Sequence, residues 1–139
     1  MRTQPPPVGE EGPRHQARER ALSLLYEAEM KSISPADVLG ALPAPPDPFA
    51  AELVAGVAAH MDHIDSLVDS ASVGWDLGRM PVVDRTLLRI ATYELLCQPL
   101  TPVAVVIDEA VELAKQYSTE DSGKFVNGVL STVAAGIKG

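Results

Sequence analysis

Apolar residues recur along this chain at intervals of three and four, with almost no strict alternation. That period marks helices that turn one face inward. In "RHQARERALSLLYEAEMK", Ala21, Leu22, Leu25, Tyr26 and Ala28 share a face, while Arg14, Arg18 and Glu19 fall largely elsewhere. A first amphipathic helix is predicted from Arg14. Ser34 stands as an N-cap before Pro35 and opens a short second helix. The prolines of "PAPPDP", 43–48, require a linker. Phe49, Leu53, Val57, Met61, Ile64 and Val68 then extend a helical stripe for about six turns, long enough to bend.

The glycines and proline of "VGWDLGRMP" mark a connection, with Trp75 expected to plug a gap between helices. Pro81 opens the next helix, whose core candidates are Val83, Leu87, Ile90, Ala91, Tyr93 and Leu95. "PLTP" breaks it; Thr101 is expected to cap and Pro102 to start a helix with Val106, Ala110, Leu113 and Ala114 inward. "VAVVI" has strand-forming residues but runs directly into the helix formers of "DEAVELAK". In "YSTEDSGKFVNGVLS", Asp121 or Ser122 is the expected N-cap of a last helix that buries Phe125, Val126, Val129, Leu130 and Val133. The pattern predicts six or seven helices and no strand. Residues 1–13, rich in proline and glycine and without apolar period, are expected to be a flexible leader.

Composition narrows this further. Hydrophobic residues make up 46% of 139 residues, enough for one domain with a real core. Aromatics are only 4%, so that core is aliphatic and alanine-rich, which favours packed helices over a β-sandwich. No apolar run has the length of a membrane span and the N-terminus lacks a secretory core segment, so the plain reading is a soluble cytoplasmic protein. The net charge is −8, but residues 1–20 carry four arginines against three glutamates. A small positive end thus adjoins a strongly acidic body. Cations at a helix N-terminus oppose its macrodipole at a cost of about 0.3–1 kcal/mol each, so helix stability does not account for them. A solvated tail and a negatively charged partner are the two readings.

Catalytic chemistry finds little support. His60 and His63, flanking Asp62, offer only two metal ligands where a site needs three or four, and read as surface histidines. Cys97 follows two leucines and reads as an inert thiol. Asp108, Glu109 and Glu112 read as a solvated helix face. Phosphate-loop, serine-hydrolase and zinc-protease motifs are absent. Neither an enzyme nor a cofactor is expected. The residues that packing does not require are the first arginines, Asp84, Arg85 and Arg89, and the turn "EDSGKF". Arginine forks suit phosphates and base edges, and an exposed Phe can stack on an unpaired base, so single-stranded RNA is the candidate ligand.

"RHQARERALSLLYEAE", "VDRTLLRIATYELL" and "VVIDEAVELAKQYSTEDSGKFVNGVL" closely resemble the NusB family of bacterial transcription antitermination factors, from about Arg14 to Val133. "PRHQAR" is similar to the wording of actinobacterial members. The resemblance implies an all-α, NusB-like fold of two adjoining three-helix bundles, here 14–72 and 73–139. It implies binding to boxA RNA of ribosomal RNA leaders together with NusE, within a larger complex of NusA, NusG and RNA polymerase. On this sequence the RNA residues would be Arg14, His15, Gln16, Arg18 and Arg20, then Asp121, Lys124, Phe125 and Asn127. His15 and Gln16 replace arginines of some relatives, which puts their share of affinity in doubt. Asp84, Leu88 and Arg89 would face NusE. A protein scaffold with negligible RNA binding, or a module that self-associates as a homodimer, are the alternatives.

Overall fold

The structure is a computed structural model describing residues 12–138. All the regular structure within that range is helical: α1 (Pro13–Lys31), α2 (Pro35–Gly40), α3 (Pro48–Ala59), α4 (Met61–Ala71), α5 (Val82–Cys97), α6 (Val103–Tyr117) and α7 (Glu120–Lys138). A 3₁₀ turn, Leu77–Arg79, lies between α4 and α5. The expected leader lies outside the described residues up to residue 11; Gly12 is the N-cap of α1 and Pro13 already belongs to the helix. Among the described residues, no helix is long and apolar enough to cross a membrane.

Local chemistry sets most boundaries. Pro13, Pro35 and Pro48 occupy first helical positions, where a missing N–H costs nothing. The Ser34 hydroxyl accepts the Asp37 N–H at 3.0 Å, and the Asp47 carboxylate accepts the Phe49 N–H at 3.3 Å. At the end of α1 the chain turns through Ser32 in the left-handed region, φ 54°. There the Ser32 N–H bonds the Glu29 carbonyl and the Ile33 N–H bonds the Ala28 carbonyl at 3.0 Å, which closes the helix in a Schellman turn. Two expected caps differ. Thr101 does not cap α6, whose N-cap position is Pro102. The cap of α7 is Thr119, whose hydroxyl accepts the Ser122 N–H at 2.9 Å, so Ser122 sits inside the helix. The acids Glu120 and Asp121 then lie in the first turn, where the helix dipole favours them.

The long stripe after Phe49 is two helices, broken at His60, which leaves helical geometry at φ −114° and ψ 19°. The break redirects the chain. α3 packs on α1, α2 and α5, whereas α4 packs on α5 and α7. The helix α5 is therefore central, touching α1, α3, α4, α6 and α7. Most of its sides are covered: Leu87, Leu88, Ile90, Ala91, Thr92, Tyr93 and Glu94 are all buried. The stripe on α6 and α7 reads as expected, with Val106, Ala110, Leu113, Val126, Val129 and Leu130 buried. Trp75 does not fill an interior gap; it is 53% exposed and meets Phe125 edge to face, ring centroids 5.8 Å apart. Tyr26 is also exposed.

The approach of α3 to α5 depends on Gly56. A Cβ there would fall 2.3 Å from the ring carbons of Tyr93, a buried side chain whose hydroxyl donates to Glu52 Oε2 at 3.2 Å. Gly56→Ala is expected to lower stability by about 1–3 kcal/mol through overpacking, measured by urea unfolding; an unchanged midpoint would mean that the two helices separate without cost.

Candidate functional site

The arginine-bearing start of α1 lies against the far end of α5 and the middle of α6. Its residues divide by helical phase. His15 and Arg18 are three apart and continue the same face into Ala21, Leu22 and Leu25, all buried. Arg18 is 5% exposed and grips Glu94 with both arms of its fork, Nε to Oε2 at 2.7 Å and Nη2 to Oε1 at 2.8 Å. Its Nη1 donates to Glu109 Oε1 at 3.3 Å, and His15 Nδ1 lies 2.8 Å from the same oxygen. Burial opposes the charge on Arg18, but the hydrogen bonds and charges of Glu94 and Glu109 outweigh it and raise its pKa. Glu109 accordingly belongs to the interior and not to a solvated face.

This corrects the expectation for His15 and Arg18. Neither side chain is available to a ligand, because each is already committed to a carboxylate inside the molecule. The remaining segment residues, Arg14, Gln16 and Arg20, are exposed. Arg14 lies over the ring of Phe49, its guanidinium carbon 3.8 Å from the centroid.

The turn forms a second cluster. Asp121, Lys124 and Asn127 are exposed, and Phe125 is half-buried against Trp75. Phe125 thus keeps an accessible part while also anchoring α7. A cleft of about 220 Å³ opens between Trp75, Pro81, Asp84, Asp121 and Phe125. Asp84 and Glu94 are ten residues apart on α5, so the turn and the Arg18 cluster are separated by roughly 15 Å of helix. Between them lies a groove of about 380 Å³ lined by Glu19, Leu22, Ser23, Tyr26, Val83 and Tyr117. Both tyrosines are exposed, and the Tyr117 hydroxyl donates to Glu19, a bond that with partial burial raises its pKa.

The α5 residues expected to face a partner are placed differently. Leu88 is fully buried, since α5 is covered on most sides. Asp84 is 3% exposed; its Oδ2 accepts the Ser122 hydroxyl at 2.8 Å, while Oδ1 has no hydrogen-bond partner among the described residues. Arg89 is half-buried and forks onto Asp65 at 2.8 and 3.0 Å, with Glu29 nearby at 3.7 Å. Arg85 reaches the Met80 carbonyl at 2.8 Å and also pairs with Glu29. These groups join α1, α4 and α5 to one another.

Phe49, Glu94 and Tyr117 were missed by sequence reasoning, and Tyr26 and Glu109 were placed on the wrong side of the surface. The three-residue step from His15 to Arg18, in phase with the apolar stripe, was the available signal for a buried arginine. Glu94 lies 76 positions away from Arg18 and carried no local signal. Burial and then the charge of Glu52 push the Cys97 thiol up, so less of it is the reactive thiolate. Among the described residues no cluster of three His, Cys, Asp or Glu side chains could hold a metal.

Among the described residues, fold and surface together define an all-helical protein with exposed cations on one end and an aromatic groove beside it. A family model described as "NusB family" matches residues 15–135. The chain belongs to the NusB family. It is 48% identical over 126 residues to the transcription antitermination protein NusB of Acidothermus cellulolyticus, covering 88% of this chain and 87% of that protein. The solved structure of T. maritima NusB superposes with a TM-score of 0.81 at 36% identity, covering 89% of this chain and 92% of that one. A NusB chain from a crystal structure of NusB and NusE with double-stranded RNA gives 0.76 at 28% identity, covering 88% and 96%.

Arg18→Ala would leave Glu94 and Glu109 buried without their fork. A loss of about 3–5 kcal/mol in unfolding free energy is expected, against less than about 1 kcal/mol for Arg14→Ala, which removes a surface cation–π contact. Equal losses in denaturant titrations would refute this division of roles.

Proposed function

We propose that this protein is an RNA-binding transcription antitermination factor that engages boxA of ribosomal RNA leaders together with NusE. The observation that carries the reading is the exposure of Arg14 and Arg20 on the end of an otherwise acidic body. Folding does not require either, and RNA offers each a partner in its phosphates or its base edges. The match to a NusB that was crystallised with NusE and RNA supports the same ligand class. The RNA track takes Arg14, Gln16 and Arg20 at one end and Asp121, Lys124, Phe125 and Asn127 at the other. His15 and Arg18 act by holding α1 in place.

NusE is a basic ribosomal protein, and the acidic body is a complementary surface for it. Since Leu88 is buried, the contact falls on the groove of Tyr26, Val83 and Tyr117, where apolar area is exposed beside Glu19. A chain of net charge −8 repels phosphate, so RNA binding by the chain alone is weak. A basic partner adds charge, and joining the two makes the second contact intramolecular. The loaded complex would then join NusA, NusG and RNA polymerase.

Labelled boxA RNA titrated with the protein alone and with NusE is expected to show at least tenfold tightening; equal affinities would sink the reading. Lys124→Ala and Arg20→Ala should each weaken RNA binding and reduce the salt slope by about one, with NusE binding retained.

A further inference from the structure

The cation–π contact at the start of α1 lies outside the buried ion-pair cluster. Arg14 is exposed, yet it is not extended into solvent; it is seated on Phe49, 3.8 Å from the ring centroid, with Arg18 at 5.5 Å. Pro13, Arg14, Asp47, Pro48, Phe49 and Glu52 line a cleft of about 380 Å³ at this point. Two carboxylates border it, but Arg14 pairs with neither among the described residues. Asp47 caps α3 by accepting the Phe49 N–H, and Glu52 accepts the Tyr93 hydroxyl and the Gln98 amide. Those acids are held by α3 and α5, and the guanidinium is held by the ring. A guanidinium with one face covered keeps its N–H edge for hydrogen bonding, and its orientation is set in advance.

The chemistry of the cleft selects the ligand. A phosphate entering it would meet Asp47 and Glu52, two like charges. A neutral base edge would not. Arginine has donors only, so the edge must offer adjacent acceptors. Guanine does, with O6 and N7 on an edge that carries no donor; cytosine's N3 and O2 share their edge with an amino donor, adenine sets its amino donor beside N7, and uracil has no adjacent acceptor pair. We propose that Phe49 is a positioning residue that holds Arg14 for a forked contact with an unpaired guanine of the bound RNA. The inference rests on the RNA-binding reading above and adds to it a base-reading subsite on α3.

The test measures affinity of the full chain with NusE for a boxA leader RNA, and for the same RNA with 7-deazaguanosine in place of guanosine. Arg14→Lys keeps the charge without the fork, and Phe49→Leu keeps apolar bulk without the ring face. Each is expected to weaken binding to the natural RNA about tenfold or more. The double variant should lose no more than the weaker single variant. The 7-deaza RNA should bind the unaltered protein as weakly as the variants bind natural RNA, and Arg14→Ala should leave the salt slope unchanged. An unaffected Phe49→Leu, additive losses, or full affinity for the 7-deaza RNA would each overturn the subsite while leaving RNA binding intact. Cytosine, whose N3 and O2 are also adjacent acceptors, is the assignment that the last outcome would favour. If Phe49→Leu proves unfolded by circular dichroism, Arg14→Lys on the two RNAs decides alone. Absence of any binding to natural RNA would instead overturn the functional reading, and the subsite with it.

Discussion

The structure depends on a charge that cannot be left alone. Arg18 is almost completely shielded from water, and so are Glu94 and Glu109. Each would be costly to bury singly, by several kcal/mol. Together, with His15 against Glu109, they satisfy one another only when α1, α5 and α6 are all in place. The cluster therefore works as a register lock. The apolar stripe of α1 could slide or rotate on its neighbours at modest cost, but a forked arginine tolerates little displacement. Once α1 is fixed in this way, the exposures of Arg14 and Arg20 follow, because their angular positions on the helix are set relative to Arg18.

That arrangement connects stability with binding. Two arginines close in sequence have different tasks. Arg18 holds the helix and Arg14, one turn earlier, lies over Phe49 at the surface. The central helix α5 is used similarly. Its inward residues build the core, its last turns supply Glu94 to the lock, and its start supplies Asp84 to Ser122 of α7. The first turn of α7 is thereby held, which keeps Asp121, Lys124 and Phe125 roughly 15 Å of helix away from the Arg18 cluster. Surfaces at the two ends of one buried helix suit an extended ligand better than a compact one. The groove between them, with its exposed tyrosines, is the surface we propose for a protein partner.

Much of the fold was legible in the residues. Helical period, Pro35 at a first helical position and Ser34 as its cap are local effects, and local effects survive folding. The failures are also physical. Leu88 was assigned to a partner face through the family resemblance, but α5 is covered on most sides and the side chain is buried. Thr119 was passed over as a cap because Asp121 and Ser122 have equal intrinsic preference, and only the backbone path distinguishes them. Trp75 was placed inside by its size, yet the connection carrying it runs over the surface, where it packs on Phe125.

The sequence by itself determined an all-helical chain with an acidic body, a basic start and no catalytic motif, since composition, period and charge are properties of the residues alone. Only the tertiary structure decided which arginine is buried in an ion-pair cluster and which is left exposed. Arg14 and Arg18 are chemically identical and lie on one helix. What separates them is the pair Glu94 and Glu109, brought from distant positions by packing. A buried ion pair is a relation between segments, and no single segment carries it.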